Sequence, residues 1–198
     1  MARNRVDEIA QVVGALINFL SEEASLKFEN VTIIGFSLGA HIAGMTGKKF
    51  VKSPIRKVIG LDPAGPRFDI NDPDKRLAVD SATYTECIHT GYILGTRDPF
   101  CQADFYVNGG TNQPGCMPSF GDAYLCSHVR VLYIYIESLT APKAFYGLRC
   151  ESADNALKKS CSNEPGAFLN NKENERKKIE GIFHVTTNGE SPYGLGDH

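Results

Sequence analysis

Val31-Thr32-Ile33-Ile34-Gly35-Phe36-Ser37-Leu38-Gly39-Ala40 sets a run of buried-type apolar residues directly against Gly-x-Ser-x-Gly and the start of a small-residue helix. A strand that turns sharply into a helix through glycine, serine and glycine is a nucleophile elbow. Gly35 and Gly39 flank a turn with little room for side chains, and the turn lifts Ser37 so that its hydroxyl is exposed. The backbone N–H of Leu38 points at the same reacting carbonyl, from a helix N-terminus whose partial positive charge favours a developing oxyanion. Ser37 is the candidate nucleophile and Leu38 the candidate oxyanion-hole donor. The strand before the motif and the helix after it make so short a pattern informative.

A serine hydroxyl is a poor nucleophile until a base takes its proton, so the pattern demands a histidine and a carboxylate to orient it. Lys57-Val58-Ile59-Gly60-Leu61-Asp62-Pro63 reads as a second buried strand ending on Asp62, stopped by Pro63 and Pro66. A carboxylate at the C-terminal edge of a strand lies on the active face of an open α/β sheet. Aspartate before proline is also a common turn opener, so the local sequence leaves both roles open for Asp62.

Five histidines compete for the role of base. His41 follows Ser37 on the same helix and turns away from the active face, which suits packing or capping. His89 and His184 fall in strand-like segments, where a hydrogen-bonded core histidine is the simpler role, and His198 is terminal. His128 follows Cys126-Ser127 and precedes the apolar run 129–136, so it is expected in a loop at a helix start, tethered by a cysteine. A tethered loop histidine suits a base that must reach a serine from another segment. The chain order Ser37, Asp62, His128 is that of an α/β-hydrolase.

Several segments in register then resemble one family. Gly-Phe-Ser-Leu-Gly-Ala-His at 35–41, Leu-Asp-Pro-Ala-Gly-Pro at 61–66, Ile88-His89-Thr90, Asp104-Phe105-Tyr106 with Asn108-Gly109-Gly110, Gln113-Pro114-Gly115-Cys116 and Cys126-Ser127-His128 are similar to the pancreatic-lipase superfamily. The likeness runs from about residue 3 to the C-terminus and is closest to secreted, insect-type lipases and phospholipases A1. Carried over position by position, it makes Ser37 the nucleophile, Asp62 the triad acid and His128 the triad base.

The resemblance implies further features. It suggests disulfides Cys116–Cys126, Cys150–Cys161 and Cys87–Cys101, each closing a short loop and contributing about 2 to 3 kcal/mol in the chain-entropy model. It makes residues 117–125 the counterpart of the lid, with Met117, Phe120, Tyr124 and Leu125 as possible lipid contacts or simple loop anchors. A short lid facing a short loop 91–102 goes, in the family, with phospholipase A1 activity, since a bulky polar headgroup then reaches the cleft. The chain also departs from the family: Phe36 stands where histidine is common, and Gln102 where relatives often carry histidine. The stretch 72–81 corresponds to the calcium loop but, apart from Arg76, lacks the family's acidic positions, so no metal and no other cofactor is expected.

Composition sets outer limits. With 198 residues, 42% hydrophobic and a net charge of -2, the chain can bury a core and has no basic surplus for nucleic acid. No run is long enough to span a bilayer. Six cysteines form an even set, compatible with free thiols in a cytosolic enzyme but, in the family frame, with an oxidising, extracellular compartment. Asn30-Val31-Thr32 is a glycosylation sequon at the beginning of a strand. Residues 1–5 open onto an amphipathic helix rather than an apolar core segment, so they do not read as a signal peptide.

The predicted elements are a helix over 3–21 with Val6, Ile9, Val13, Ile17 and Leu20 on one face, strand 31–36, helix 38–50 and strand 57–62. Strand-like segments near 84–90 and 104–107, helix 128–139 and a last strand near 180–187 follow, while 170–178 reads as an exposed polar loop. Alternating helices and strands predict the α/β class. With the resemblance, the fold class is an α/β-hydrolase without its N-terminal strands. Residues 1–198 then form the C-terminal portion of one lipase catalytic domain, with no lipid-binding domain after it. Nothing before Val31 resembles the loop that supplies the second oxyanion donor. The expected function is a secreted serine carboxylester hydrolase acting on phospholipid or glyceride at a lipid–water interface, foremost a phospholipase A1 cleaving the sn-1 ester, with no protein partner. Triacylglycerol lipase and galactolipase are the near alternatives. A non-catalytic, yolk-protein-like lipid carrier or an inactive shortened form is the more distant one.

Overall fold

The segment Lys57–Leu61 is buried at every position, which a strand tolerates only when both faces of its sheet are covered. The computed structural model, which describes residues 5–116, 123–162 and 165–196, covers both. Its strands are β1 (Thr32–Phe36), β2 (Lys57–Leu61), β3 (Tyr84–His89), β4 (Ala103–Val107), β5 (Tyr146–Cys150), β6 (Ala167–Phe168) and β7 (Gly181–Val185). Its helices are α1 (Val6–Ala24), α2 (Leu38–Gly47), α3 (Ala123–Thr140), α4 (Ala153–Lys158) and α5 (Lys172–Arg176). The strands form one sheet in the order β1-β2-β3-β4-β7-β5-β6. The first five of these run parallel, β5 lies antiparallel to β7, and β6 antiparallel to β5. This is the predicted α/β architecture.

Period-two alternation divides the core between the two faces. On β2, Val58 joins Ile17 of α1, Ala40 and Ala43 of α2, and Leu77 on one side. Ile59 and Leu61 join Val131, Ile134 and Tyr135 of α3 on the other. Full burial of each such aliphatic or aromatic side chain contributes about 1.5 to 3 kcal/mol. On α2 the approach to the neighbouring chain is close: a Cβ on Gly44 would stand 2.4 Å from Leu77 Cα, and one on Gly47 1.8 Å from Ser81 O.

Three sequence expectations need correction. α1 runs Val6–Ala24 rather than 3–21, and its buried stripe is Val6, Ala10, Gly14 and Ile17. Ile9 is exposed, because the small residues Ala10 and Gly14 let α1 lie close to α2. His128 sits inside α3, not in a loop before it, because the helix starts at Ala123. The polar stretch 170–178 contains the short helix α5, whose start is capped by Asn171 accepting from the N–H of Glu173 at 2.9 Å.

The disulfides suggested by the resemblance are present: Cys87–Cys101, Cys116–Cys126 and Cys150–Cys161. No helix among the described residues is long and apolar enough to cross a membrane.

Candidate active site

Parallel pairing in register brings the strand ends together. Phe36 of β1 is level with Leu61 of β2, and Leu61 with Ile88 of β3. The residues one step further, Ser37 and Asp62, therefore emerge side by side at the C-terminal edge of the sheet, where open α/β sheets bind their ligands.

Ser37 has φ 55° and ψ −120°, a left-handed backbone that a residue with a Cβ adopts at a cost of about 1 to 3 kcal/mol. It is pinned there by its N–H donating to Leu61 O at 2.9 Å and by its carbonyl accepting from the N–H groups of Ala40 at 3.1 Å and Ala64 at 3.3 Å. Gly35 is sterically required, since a Cβ there would stand 2.0 Å from Gly39 O. Gly39 is different: its missing Cβ faces nothing within 4 Å, so crowding does not demand glycine at the second position. Leu38 is the first residue of α2, which leaves its N–H at the helix N-terminus beside Ser37.

Asp62 is also left-handed, with φ 41°, and completely buried. Two backbone donors clamp its Oδ1: Thr90 N–H at 2.7 Å and Gly91 N–H at 3.0 Å. The other oxygen, Oδ2, accepts from His128 Nδ1 at 2.5 Å. A buried carboxylate needs such donors, because an unpaired charge there is severely penalised. The loop after β3 closes over it so tightly that a Cβ on Gly95 would stand 2.7 Å from both carboxylate oxygens.

His128, on the second turn of α3, is held by Asp62 on one side and by the Phe36 ring on the other, centroids 4.6 Å apart. Phe36 thus forms an apolar wall for the imidazole. The structure brings Asp62 and His128 into direct contact. Ser37 joins them through its backbone bond to Leu61 and through its neighbour Phe36 rather than through a side-chain bond of its own among the described residues.

The competing histidines hold other posts. His41 is buried, stacked on Phe68 at 3.6 Å, with Nε2 on Ala64 O at 2.8 Å and Nδ1 accepting from Leu77 N–H at 3.3 Å. His89 is buried between Thr96 O and Asp104, as a core histidine. Burial pushes the Asp104 carboxyl up, against bonds from His89 and from the N–H groups of Phe100 and Cys101. His184 is buried on β7 with Nδ1 on Ala156 O at 2.8 Å. His198 lies outside the described residues.

Two further expectations concern the rim. Residues 117–122 of the expected lid, with Met117 and Phe120, lie outside the described residues; Tyr124 and Leu125 are exposed on the first turn of α3. In the stretch 72–81, Arg76 donates to the carbonyls of Asp69, Ile70 and Leu77, while Asp72 pairs with Lys75 and Asp80 with Lys48. The one grouping of metal-type ligands among the described residues, Cys87, Cys101 and Asp104, has its sulfurs joined in a disulfide and so offers no thiolate.

Sequence reasoning missed the clamp made by Thr90 and Gly91 and the close approach of Gly95. The available signal was Thr90-Gly91 directly after a buried strand neighbouring the one that ends on Asp62.

The chain matches the family model described as Lipase over residues 1–193. It is 33% identical over 189 residues to a phospholipase A1 of Vespa crabro, an alignment covering 93% of this chain and 62% of that relative. It is 41% identical over 150 residues to lipase member H-A of Xenopus laevis, covering 73% and 32%, and 36% identical over 151 residues to hepatic triacylglycerol lipase of Mus musculus, covering 66% and 30%. The chain spans less than two thirds of the length of these curated relatives. With the family model matched over nearly its whole length and a relative one-third identical across more than nine tenths of it, the chain belongs to the lipase family, within the pancreatic-lipase superfamily.

Proposed function

We propose that this protein is a secreted serine carboxylester hydrolase acting on lipid, with Ser37 as nucleophile, His128 as general base and Asp62 as the group that orients it. The observation that carries the reading is the 2.5 Å bond from His128 to a carboxylate clamped at the strand end beside the elbow. Ser37 Oγ attacks the acyl carbonyl while His128 takes its proton, and Asp62 stabilises the imidazolium so formed. Negative charge collects on the former carbonyl oxygen, where the Leu38 N–H donates. Collapse of the tetrahedral intermediate expels the alcohol, which receives the proton from His128. Water, activated by the same histidine, then releases the fatty acid and regenerates Ser37.

The preferred bond is the sn-1 ester of a phospholipid. Similarity to relatives named phospholipase A1 over 93% of the chain supports this choice. Three disulfides support an extracellular setting. The test is fatty-acid release by the full chain from phosphatidylcholine with different acyl groups at sn-1 and sn-2, against an emulsified long-chain triacylglycerol. Faster release of the sn-1 acid is expected, unchanged by EDTA. Faster release from triacylglycerol transfers the assignment to a neutral lipase. Turnover of neither by the folded protein favours a lipid carrier.

A further inference from the structure

One buried polar side chain outside the trio touches the scaffolds of both Asp62 and His128. Gln113, only 2% exposed, lies after β4 in a turn closed by Cys116 N–H donating to Gln113 O at 3.0 Å. Its Nε2 donates to Thr90 O at 2.9 Å and to Val107 O at 2.8 Å, and its Oε1 accepts from Asn108 Nδ2 at 2.9 Å. Both amide hydrogens face carbonyls that can only accept, so the amide has a single workable orientation. Its backbone N–H donates to Ser127 Oγ at 3.0 Å, on the residue preceding His128.

Thr90 O and Gly91 N–H belong to the same peptide group. Its carbonyl receives Gln113, and its N–H donates to Asp62 Oδ1 at 3.0 Å. A hydrogen bond accepted at the carbonyl polarises the peptide and strengthens donation at its N–H. Gln113 is therefore linked to Asp62 through one rigid peptide plane and to His128 through one neighbouring residue. Glutamate at this position would turn an acceptor toward two carbonyls, and methionine would take the donor away from Thr90 O while Val107 O keeps the N–H of Gly110 at 2.9 Å.

We infer that Gln113 is a positioning residue for the Asp62–His128 pair. Its side chain aims the Thr90–Gly91 peptide at the carboxylate, and its backbone fixes the turn of α3 that carries the imidazole. The inference rests on the proposed roles of Ser37, Asp62 and His128, but the geometry it predicts is measurable without turnover.

The experiment is proton NMR of the full chain with 15N-labelled histidine, following the low-field Nδ1 proton of His128, identified by its absence in His128→Ala. Gln113→Met should move that proton upfield or lose it to exchange, while the ring proton between His89 and Thr96 stays in place. With a short-chain ester, kcat should fall about 10²-fold with KM unchanged, as for a small misplacement of a catalytic group. Asn174→Ala, which removes an equally buried amide bonded to Phe168 O, is the stability control and should move neither. Should Gln113→Met not fold, Ser127→Ala tests the second arm and should shift the same proton in the same direction. An unmoved His128 proton, or changes matched by Asn174→Ala, overturns the inference. A shifted proton in a protein whose wild type hydrolyses no ester leaves the positioning role standing and sinks the hydrolase reading instead.

Discussion

Two buried histidine–aspartate pairs lie among the described residues, and they differ in what the second ring nitrogen does. In His89–Asp104, Nε2 meets Asp104 Oδ1 at 2.9 Å, Nδ1 meets Thr96 O at 3.1 Å, and the ring stacks on Tyr106 at 4.4 Å. Every polar atom of that imidazole is occupied, and it can only hold the loop after β3 against β4. In His128–Asp62, Nδ1 takes the carboxylate and Nε2 has no hydrogen-bond partner among the described residues. The same two side chains make a structural clamp in one case and, in the proposed function, the general base and its orienting carboxylate in the other. What separates them is position: Asp62 and His128 meet beyond the end of the sheet beside Ser37, whereas His89 and Asp104 lie within its strands.

The largest expected effects lie in breaking one pair and then the other. Asp62→Asn should lower kcat by ~10⁴-fold, as removal of a triad carboxylate does elsewhere, with little loss of Tm. Asp104→Asn should do the reverse, costing about 1 to 3 kcal/mol by leaving buried donors short of an acceptor, while the folded fraction keeps its kcat. Thermal melts and single-substrate kinetics on both variants decide it. If Asp104→Asn silences a folded enzyme and Asp62→Asn does not, the roles of the two pairs are exchanged.

A smaller effect sharpens the same contrast through pH. His184 is another fully occupied imidazole, with Nδ1 on Ala156 O and Nε2 beside Thr186 Oγ1 at 3.3 Å. Burial lowers its pKa, Lys159 adds to the lowering, and the bond to Ala156 opposes it. The folded state therefore favours the neutral ring. Its contribution to stability is complete above the unfolded value of about 6.5 and is lost as pH falls through the lower folded value. Tm of the wild type should decline below about pH 6.5 more steeply than that of His184→Gln, and parallel curves would contradict a neutral, locked ring.

How legible each part was follows from the range of the interactions involved. The elbow and the strand ending on Asp62 are local patterns, and the five parallel strands β1, β2, β3, β4 and β7 are legible in the same way as short apolar runs. The two elbow glycines look equivalent in sequence, and only the fold reveals that a Cβ on Gly35 strikes Gly39 O whereas one on Gly39 meets nothing within 4 Å. His128 read as a loop residue because the apolar run of α3 begins after it, although the helix starts at Ala123. Apolar periodicity places Ile9 on the buried face of α1, whereas the packed stripe uses the smaller Ala10 and Gly14 and leaves Ile9 exposed. The elements β6, α4 and α5 are too short for periodicity to identify, and β5, although as long as β1, reads Tyr-Gly-Leu-Arg-Cys, with neither an apolar run nor a regular alternation. The clamp on Asp62 and the reach of Gln113 across three segments are long-range hydrogen bonds with no local signature.

In the proposed mechanism His128, and not His89, takes the proton of Ser37. A fluorophosphonate probe tests it most directly, because it reacts only with a serine whose proton a neighbouring base removes. The full chain should be labelled once, at Ser37 by peptide mapping. Labelling should vanish in Ser37→Ala, fall at least about 10³-fold in rate in His128→Ala, and persist in folded His89→Gln. Label on another residue, or labelling of His128→Ala at the wild-type rate, would contradict the account.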